Sequence, residues 1–184
     1  YLFLVPAVAM RLWAEERKSG TIEFLMTLPV STVQAVIGKF IAAWIFVVIA
    51  LAMTFPLWIT VNYLGDPDNG VIVASYFGSM LMAGAYLAIG SFVSALTRNQ
   101  VIAFVIGAAA TFLFMMSGLE IVLAAFKGWA PPFVTDLVQS LSFLTHYDNI
   151  VQGLIDIRDL IFFLSVMGVF LFANVVMVDL KRES

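Results

Sequence analysis

Long apolar runs separated by short polar breaks dominate the chain, and their lengths predict its elements. Phe40 to about Leu64 is one such run, Val71 to about Leu96 a second, Val101 to about Leu123 a third, and Asp159 to about Val178 a fourth. A helix needs roughly 20 apolar residues to cross the hydrocarbon of a bilayer, and each run is of that order. Residues 1–10 are apolar but too short to span. A signal peptide carries its positive charge before its apolar run, whereas here the charge follows it. Residues 1–10 are therefore expected to end a span that starts before Tyr1.

The longest polar interruption is residues 11–39, RLWAEERKSGTIEFLMTLPVSTVQAVIGK. Charges at mid-bilayer cost several kcal/mol each, so this stretch lies outside the hydrocarbon. It divides into three parts. Arg11, Glu15, Glu16, Arg17 and Lys18 form a charged run continuing from the preceding span. Thr21–Leu28 reads as a short helix with Ile22, Leu25 and Met26 on one face, isolated by Gly20 before it and Pro29 after it. Ser31 followed by Gln34 matches a capping box opening the next helix, and Lys39 is placed to snorkel at the interface. A short, partly apolar helix on such a loop fits docking to a partner, or equally a helix lying on the lipid surface.

Pro56 predicts a kink inside the 40–64 run. Residues 65–70, Gly-Asp-Pro-Asp-Asn-Gly, compose a turn. The 71–96 run carries small residues at four-residue spacing, Ser75, Ser79 and Ala83, then Gly90 and Ser94, which lets helices approach closely in lipid and places this one inside a bundle. Thr97–Gln100 is a tight link. Residues 127–158 hold a break at Pro131-Pro132 and a one-sided stripe from Val134 to Tyr147, through Leu137, Val138, Leu141 and Leu144, expected as one interfacial or re-entrant helix. Residues 179–184 form a polar tail.

Composition agrees with this pattern. The 184 residues are 62% hydrophobic and 11% charged, against about 45–50% and about 25% in soluble domains; mean hydropathy is +1.04. The expected fold class is an all-α integral membrane protein, a polytopic helix bundle forming one transmembrane domain over residues 1–184. The absence of cysteine excludes disulfides, thiolate metal sites and a cysteine nucleophile from this sequence. Arg11, Arg17, Lys18, Lys39, Arg98, Lys181 and Arg182 fall on one side of the alternating topology, and only Lys127 and Arg158 on the other. The positive-inside rule puts the first group, with the 11–39 loop and the C-terminus, in the cytoplasm.

Catalytic chemistry is poorly represented. There is no G-x-x-x-x-G-K-[S/T] phosphate loop and no H-E-x-x-H metal motif. His146, beside Asp148, reads as a surface or interface residue rather than a ligand. Asp156 and Asp159, with Arg158, outline a carboxylate motif for magnesium diphosphate, but at the start of a helix such acids complement its dipole. No catalytic residue and no metal site is expected. Glu120, near the far end of the third run, is the one acid close to a span that could line a translocation path, or simply be wet at the interface.

Three stretches then carry a resemblance: Glu15-Glu16-Arg17-x-x-Gly20-Thr21-x-Glu23 with Leu28-Pro29-Val30-Ser31 and Gly38-Lys39; Ser94–Gln100; and Gly153-x-x-Asp156-x-Arg158-Asp159 before the last span. In this order the chain resembles the permease subunits of type-2 ABC transporters, more narrowly the group related to the gliding-motility permease. The resemblance implies a six-helix permease whose N-terminal span or spans are missing from this sequence. It implies a second permease subunit, as homo- or heterodimer, and a separate cytoplasmic ATPase that supplies ATP and magnesium; no cofactor is expected in this chain. The loop 11–39 would be the coupling-helix loop, with Glu15, Glu16, Arg17, Gly20, Thr21 and Glu23 meeting the ATPase. Export, in the inner membrane of a bacterium, and no nucleic-acid partner are expected. A scaffold that docks a cytoplasmic partner without transport is the rival from another class; a lipid-modifying enzyme through Asp156 and Asp159, and a proton-driven transporter, are weaker rivals. The spans lack rings of charge for selecting small ions, which fits a lipidic, peptide or drug-like cargo, or mechanical work on a partner protein.

Overall fold

The computed structural model describes residues 1–21, 29–127, 131–153 and 156–181. The expected helix over residues 21–28, including Ile22, Glu23, Leu25 and Met26, falls outside them but for Thr21, as does Arg182.

The described helices are α1 (Leu4–Ala9), α2 (Arg11–Ser19), α3 (Thr32–Ala52), α4 (Phe55–Leu64), α5 (Asn69–Leu96), α6 (Gln100–Met116), α7 (Glu120–Lys127), α8 (Pro132–Ser140), α9 (Phe143–Val151) and α10 (Ile157–Leu180). Among the described residues there is no strand. Thr32–Leu64, Asn69–Leu96 and Ile157–Leu180 are long and apolar enough to cross a membrane, and Gln100–Met116 is a shorter apolar helix. The protein is an all-α membrane helix bundle.

Its helices begin where short polar side chains satisfy the free N–H groups of a first turn. Ser31 and Gln34 form the expected capping box of α3. Asp68 caps α5, Asn99 caps α6 and Asp156 caps α10. The α3 path is longer than the apolar run suggested, since the capped start at Thr32 and the run from Phe40 are one helix. It breaks at Met53 and Thr54, and α4 restarts with Pro56 in its first turn. At the break Leu51 O accepts both the Thr54 N–H at 3.0 Å and the Thr54 hydroxyl at 2.6 Å.

α5 is the axle of the bundle. Its most apolar stretch is 61% buried, against 22% for Thr32–Leu64 and for α10, and it touches α1, α2, α3, α6, α9 and α10. Glycines make the approach possible. A Cβ on Gly90 would lie 2.5 Å from Ala9 Cβ, one on Gly84 2.9 Å from Met167 Sδ, and one on Gly78 2.9 Å from Ile150 Cγ2. Packing of this closeness supplies the association that the hydrophobic effect cannot provide between helices in lipid. Polar ties add to it: Asn174 donates to Ser91 Oγ at 2.7 Å and Trp44 Nε1 to Met80 O at 2.9 Å.

Two expectations are corrected. The third span ends early: α6 stops at Met116, and α7 is a separate helix. The cause is Gly118, whose missing side chain admits the Ser142 turn; a Cβ there would lie 2.1 Å from Ser142 Oγ. The Val134–Tyr147 stripe is two helices rather than one. Ser142 accepts the Thr145 N–H and starts α9 afresh, with Phe143 and Ile150 buried and Leu137 and Leu141 left exposed. A side-chain acceptor at a helix start outweighed a period that would have run through it.

Candidate coupling surface at the charged end

The charged run folds as α2, and one face of it is buried. Trp13 and Ala14 are fully covered. They rest on the last turns of α5, where Ser94 Oγ accepts the Trp13 and Ala14 N–H groups at 3.1 and 3.0 Å and donates to Met10 O at 2.8 Å. The helix is interrupted at Met10 while its backbone stays right-handed, φ −57° and ψ −28°. A hydroxyl inserted among the backbone groups of a helix is a recognised cause of such a bend.

The expected site residues divide between two faces. Glu16 turns inward and pairs with Lys39 of α3. Lys39 also donates to Leu12 O at 2.8 Å and stands 4.5 Å above the Trp13 ring. It is therefore spent inside the protein rather than snorkelling to the interface, because α2 brings a carboxylate, a carbonyl and an indole within its reach. Arg17 also turns inward and donates to Ala95 O at 2.6 Å. Glu15, Gly20 and Thr21 stay exposed, and Glu23 lies outside the described residues. Gly20 ends α2 with φ +74°, the left-handed conformation that closes helices and that glycine alone adopts without cost. Thr21 Oγ1 and Ser19 Oγ lie 2.9 Å apart, and Ser19 donates to Glu15 O at 2.9 Å, which fixes the turn.

Cations close the end of α5. Arg17 and Lys181 both bond Ala95 O, and Lys181 reaches Leu96 O as well, the latter two at 3.0 Å. Positive groups at a helix C-terminus complement its dipole. Burial pushes the Arg17 guanidinium below its ordinary range, and Arg98 adds to the shift. Burial likewise lowers Lys181, with Arg17 and Arg98 contributing. On the far side of α10, Asp179 accepts the Thr32 hydroxyl at 2.5 Å, tying the start of α3 to the end of α10. α2, α3, α5 and α10 are thus stitched together at one end.

Glu120 is exposed at the first residue of α7, where an acid complements the helix dipole. Asp156 caps α10 and is exposed, whereas Asp159 is buried against His146, so the two carboxylates do not make a joint site. Among the described residues no group of three acids or histidines could hold a metal ion. Sequence reasoning missed the tie that Ser94 makes. Its small size in a close-packing pattern and its place in the Ser94–Gln100 stretch give no hint that its hydroxyl serves another helix 80 residues away in sequence.

Neither the comparison with curated proteins nor that with solved structures gives a match. A family model does. The model for ABC-2 family transporter proteins matches residues 3–179 of the 184, from the start of α1 almost to the end of α10, and so covers the bundle and its stitched end together. The chain belongs to the ABC-2 family of transporter proteins.

Proposed function

We propose that this chain is the permease of an ABC exporter, driven by a separate ATPase that docks on the exposed face of α2 and the segment after Gly20. The observation that carries the reading is the division of α2. Its inner face is fastened to α3 by Glu16–Lys39 and to α5 by Arg17–Ala95 and Ser94, while Glu15, and Thr21 just beyond the helix, are exposed on the outside. A load applied to the outer face passes into two helices, α3 and α5, through polar ties rather than through lipid-facing surface. That is the requirement for a transmission element.

The remaining features follow from the same reading. The α2 end carries the excess of Lys and Arg and faces the cytoplasm; ATP and magnesium belong to the partner chain. A second permease subunit completes the pathway, and the membrane is the inner membrane of a bacterium. The narrower kinship to the gliding-motility group is supported by the stretches around Glu15–Glu23, Ser94–Gln100 and Gly153–Asp159.

The test is Glu15→Lys with Thr21→Lys, which alters the outer face and spares the inner ties. Loss of co-purification with the ATPase, or loss of ATPase stimulation, is expected while the folded permease stays in the membrane. Retained binding with full stimulation contradicts the docking assignment.

A further inference from the structure

α5 meets α9 at Ser79, whose hydroxyl lies 3.1 Å from that of Tyr147, fifteen residues or about 22 Å along the helix from the stitched end at Ser94. Next to this contact His146 lies between two acceptors. Its Nδ1 is 2.5 Å from Asp159 Oδ1, and its Nε2 is 3.0 Å from the Ser140 carbonyl oxygen. The ring stacks on Phe162, with centroids 4.0 Å apart. Asp159 is 2% exposed and also accepts from Asn149 Nδ2 at 3.4 Å. Its Oδ2 is buried with no hydrogen-bond partner among the described residues. One side chain of α9 therefore holds both the last residue of α8 and the first turn of α10.

The proton count of this arrangement is constrained. A neutral imidazole has one N–H and one lone pair, and a backbone carbonyl only accepts. With a single proton on the pair, either Nδ1 meets the carboxylate lone pair to lone pair, or Nε2 meets Ser140 O in the same way. Both contacts hold only with two protons. Either the ring is an imidazolium between carboxylate and carbonyl, or Asp159 donates its own proton to Nδ1 while Nε2–H bonds Ser140. Helix ends favour the first arrangement, since Ser140 ends α8, where cations are stabilised, and Asp159 sits in the first turn of α10, where anions are.

We propose that His146 and Asp159 form a two-proton latch that ties the end of α8 to α10 and opens when the pair releases one proton to solvent. His146 keeps 17% of its side chain exposed, so the proton has a way out. Rising pH opens the latch and falling pH closes it. Of the other ionisable groups, α10 carries Arg158, α5 Tyr76 and Tyr86, α8 Asp136 and α9 itself Tyr147 and Asp148, with Tyr1 beside Ser79 and Tyr147. α6 contributes none. The group bonded to His146 is Asp159. Val138 of α8 and Leu141, which caps its end, line an apolar cavity of about 340 Å³ shared with α6, so release of α8 alters a wall of that cavity.

The sequence contains one histidine, so ¹⁵N-imidazole labelling of the full chain in lipid nanodiscs reports on His146 alone. Ring-nitrogen shifts would be followed over the whole pH range in which the protein stays folded. Amide-exchange protection across residues 132–142, corrected for the intrinsic pH dependence of exchange, would be followed in parallel. The expected result is one titration in the ring, with protection of α8 falling about tenfold at the same pH, the change that loss of one hydrogen bond brings. His146→Phe, which keeps the stack on Phe162, should leave α8 at the low protection at every pH. A ring that does not titrate in this range, a titration with unchanged protection, or pH-dependent protection that persists in His146→Phe overturns the latch. If the variant does not fold, the wild-type coincidence decides alone.

Discussion

The Ser94 hydroxyl lies between Met10 and Ala14 of another helical path, donating to the carbonyl of the first at 2.8 Å and accepting from the N–H of the second at 3.0 Å. An unbroken helix would pair those two groups directly. α1 and α2 are thus one chain path bent at Met10 and pinned at the bend to α5. Ser94→Ala removes the pin and leaves three backbone groups to find other partners. A cost of about 1–3 kcal/mol in thermal unfolding is expected, the penalty of orphaning buried polar groups. If the proposed docking on α2 holds, coupling of ATPase activity to transport should fall more than ATPase binding does, because Ser94 lies outside the proposed docking face.

The close approach of α1 to α5 depends on a glycine. Gly90 meets Ala9 with so little room that an added Cβ would stand 2.5 Å from the Ala9 methyl carbon, and neither partner has a flexible end to move. Gly90→Ala should destabilise by about 1–3 kcal/mol through overpacking. Ala9→Gly in the same protein should recover much of the loss, since the two methyl groups are the clash. A double-mutant cycle on the melting temperature measures this coupling directly.

Lys39 holds α2 to α3 by three contacts, with Glu16, Leu12 O and the Trp13 ring. Lys39→Met keeps the apolar stem but removes all three, whereas Glu16→Gln removes charge from one alone. Lys39→Met should therefore be the costlier change, by about 1 kcal/mol, a typical net hydrogen-bond contribution. Equal effects in thermal unfolding would show the ion pair to dominate.

Much of this architecture is legible in the sequence because its signals are local. Ser31 with Gln34, and the polar residues Asp68, Asn99 and Asp156, each announce a helix start within three residues, and the structure begins α3, α5, α6 and α10 there. The small residues of the 71–96 run pointed to a helix inside a bundle, and α5 is that helix. What stayed hidden depends on pairs distant in the chain. Lys39 looked like an interfacial lysine because nothing local shows that α2 folds back over it. His146 read as a surface or interface residue but is part-buried and bonds Asp159 of α10. The split of the Val134–Tyr147 stripe was missed for the opposite reason: apolar spacing continued through Ser142, and spacing alone cannot reveal a cap.

Gly20 closes α2 at φ +74° with open space around it, so a substitution there is opposed by the backbone and not by packing. Gly20→Ala should cost about 1 kcal/mol, typical of a left-handed non-glycine residue. Because the strain falls at the exit of α2, the expected signature is weakened ATPase stimulation in a permease that still folds and inserts. A variant that stimulates normally would remove Gly20 from the coupling path.

Cysteine cross-linking tests the docking of the ATPase on α2 most directly, and the absence of native cysteine from the sequence makes it clean. Single cysteines would replace Glu15 on the outer face of α2 or Thr21 just after it, and Tyr63 on α4, which is 90% exposed beyond the far end of α3. The protein would be treated with a short bifunctional thiol reagent in membranes that also hold the ATPase. Cross-links from positions 15 and 21, and none from 63, are the predicted result. Cross-linking from Tyr63→Cys as strong as from the α2 positions, or none from either α2 position while the complex stays intact, would contradict it.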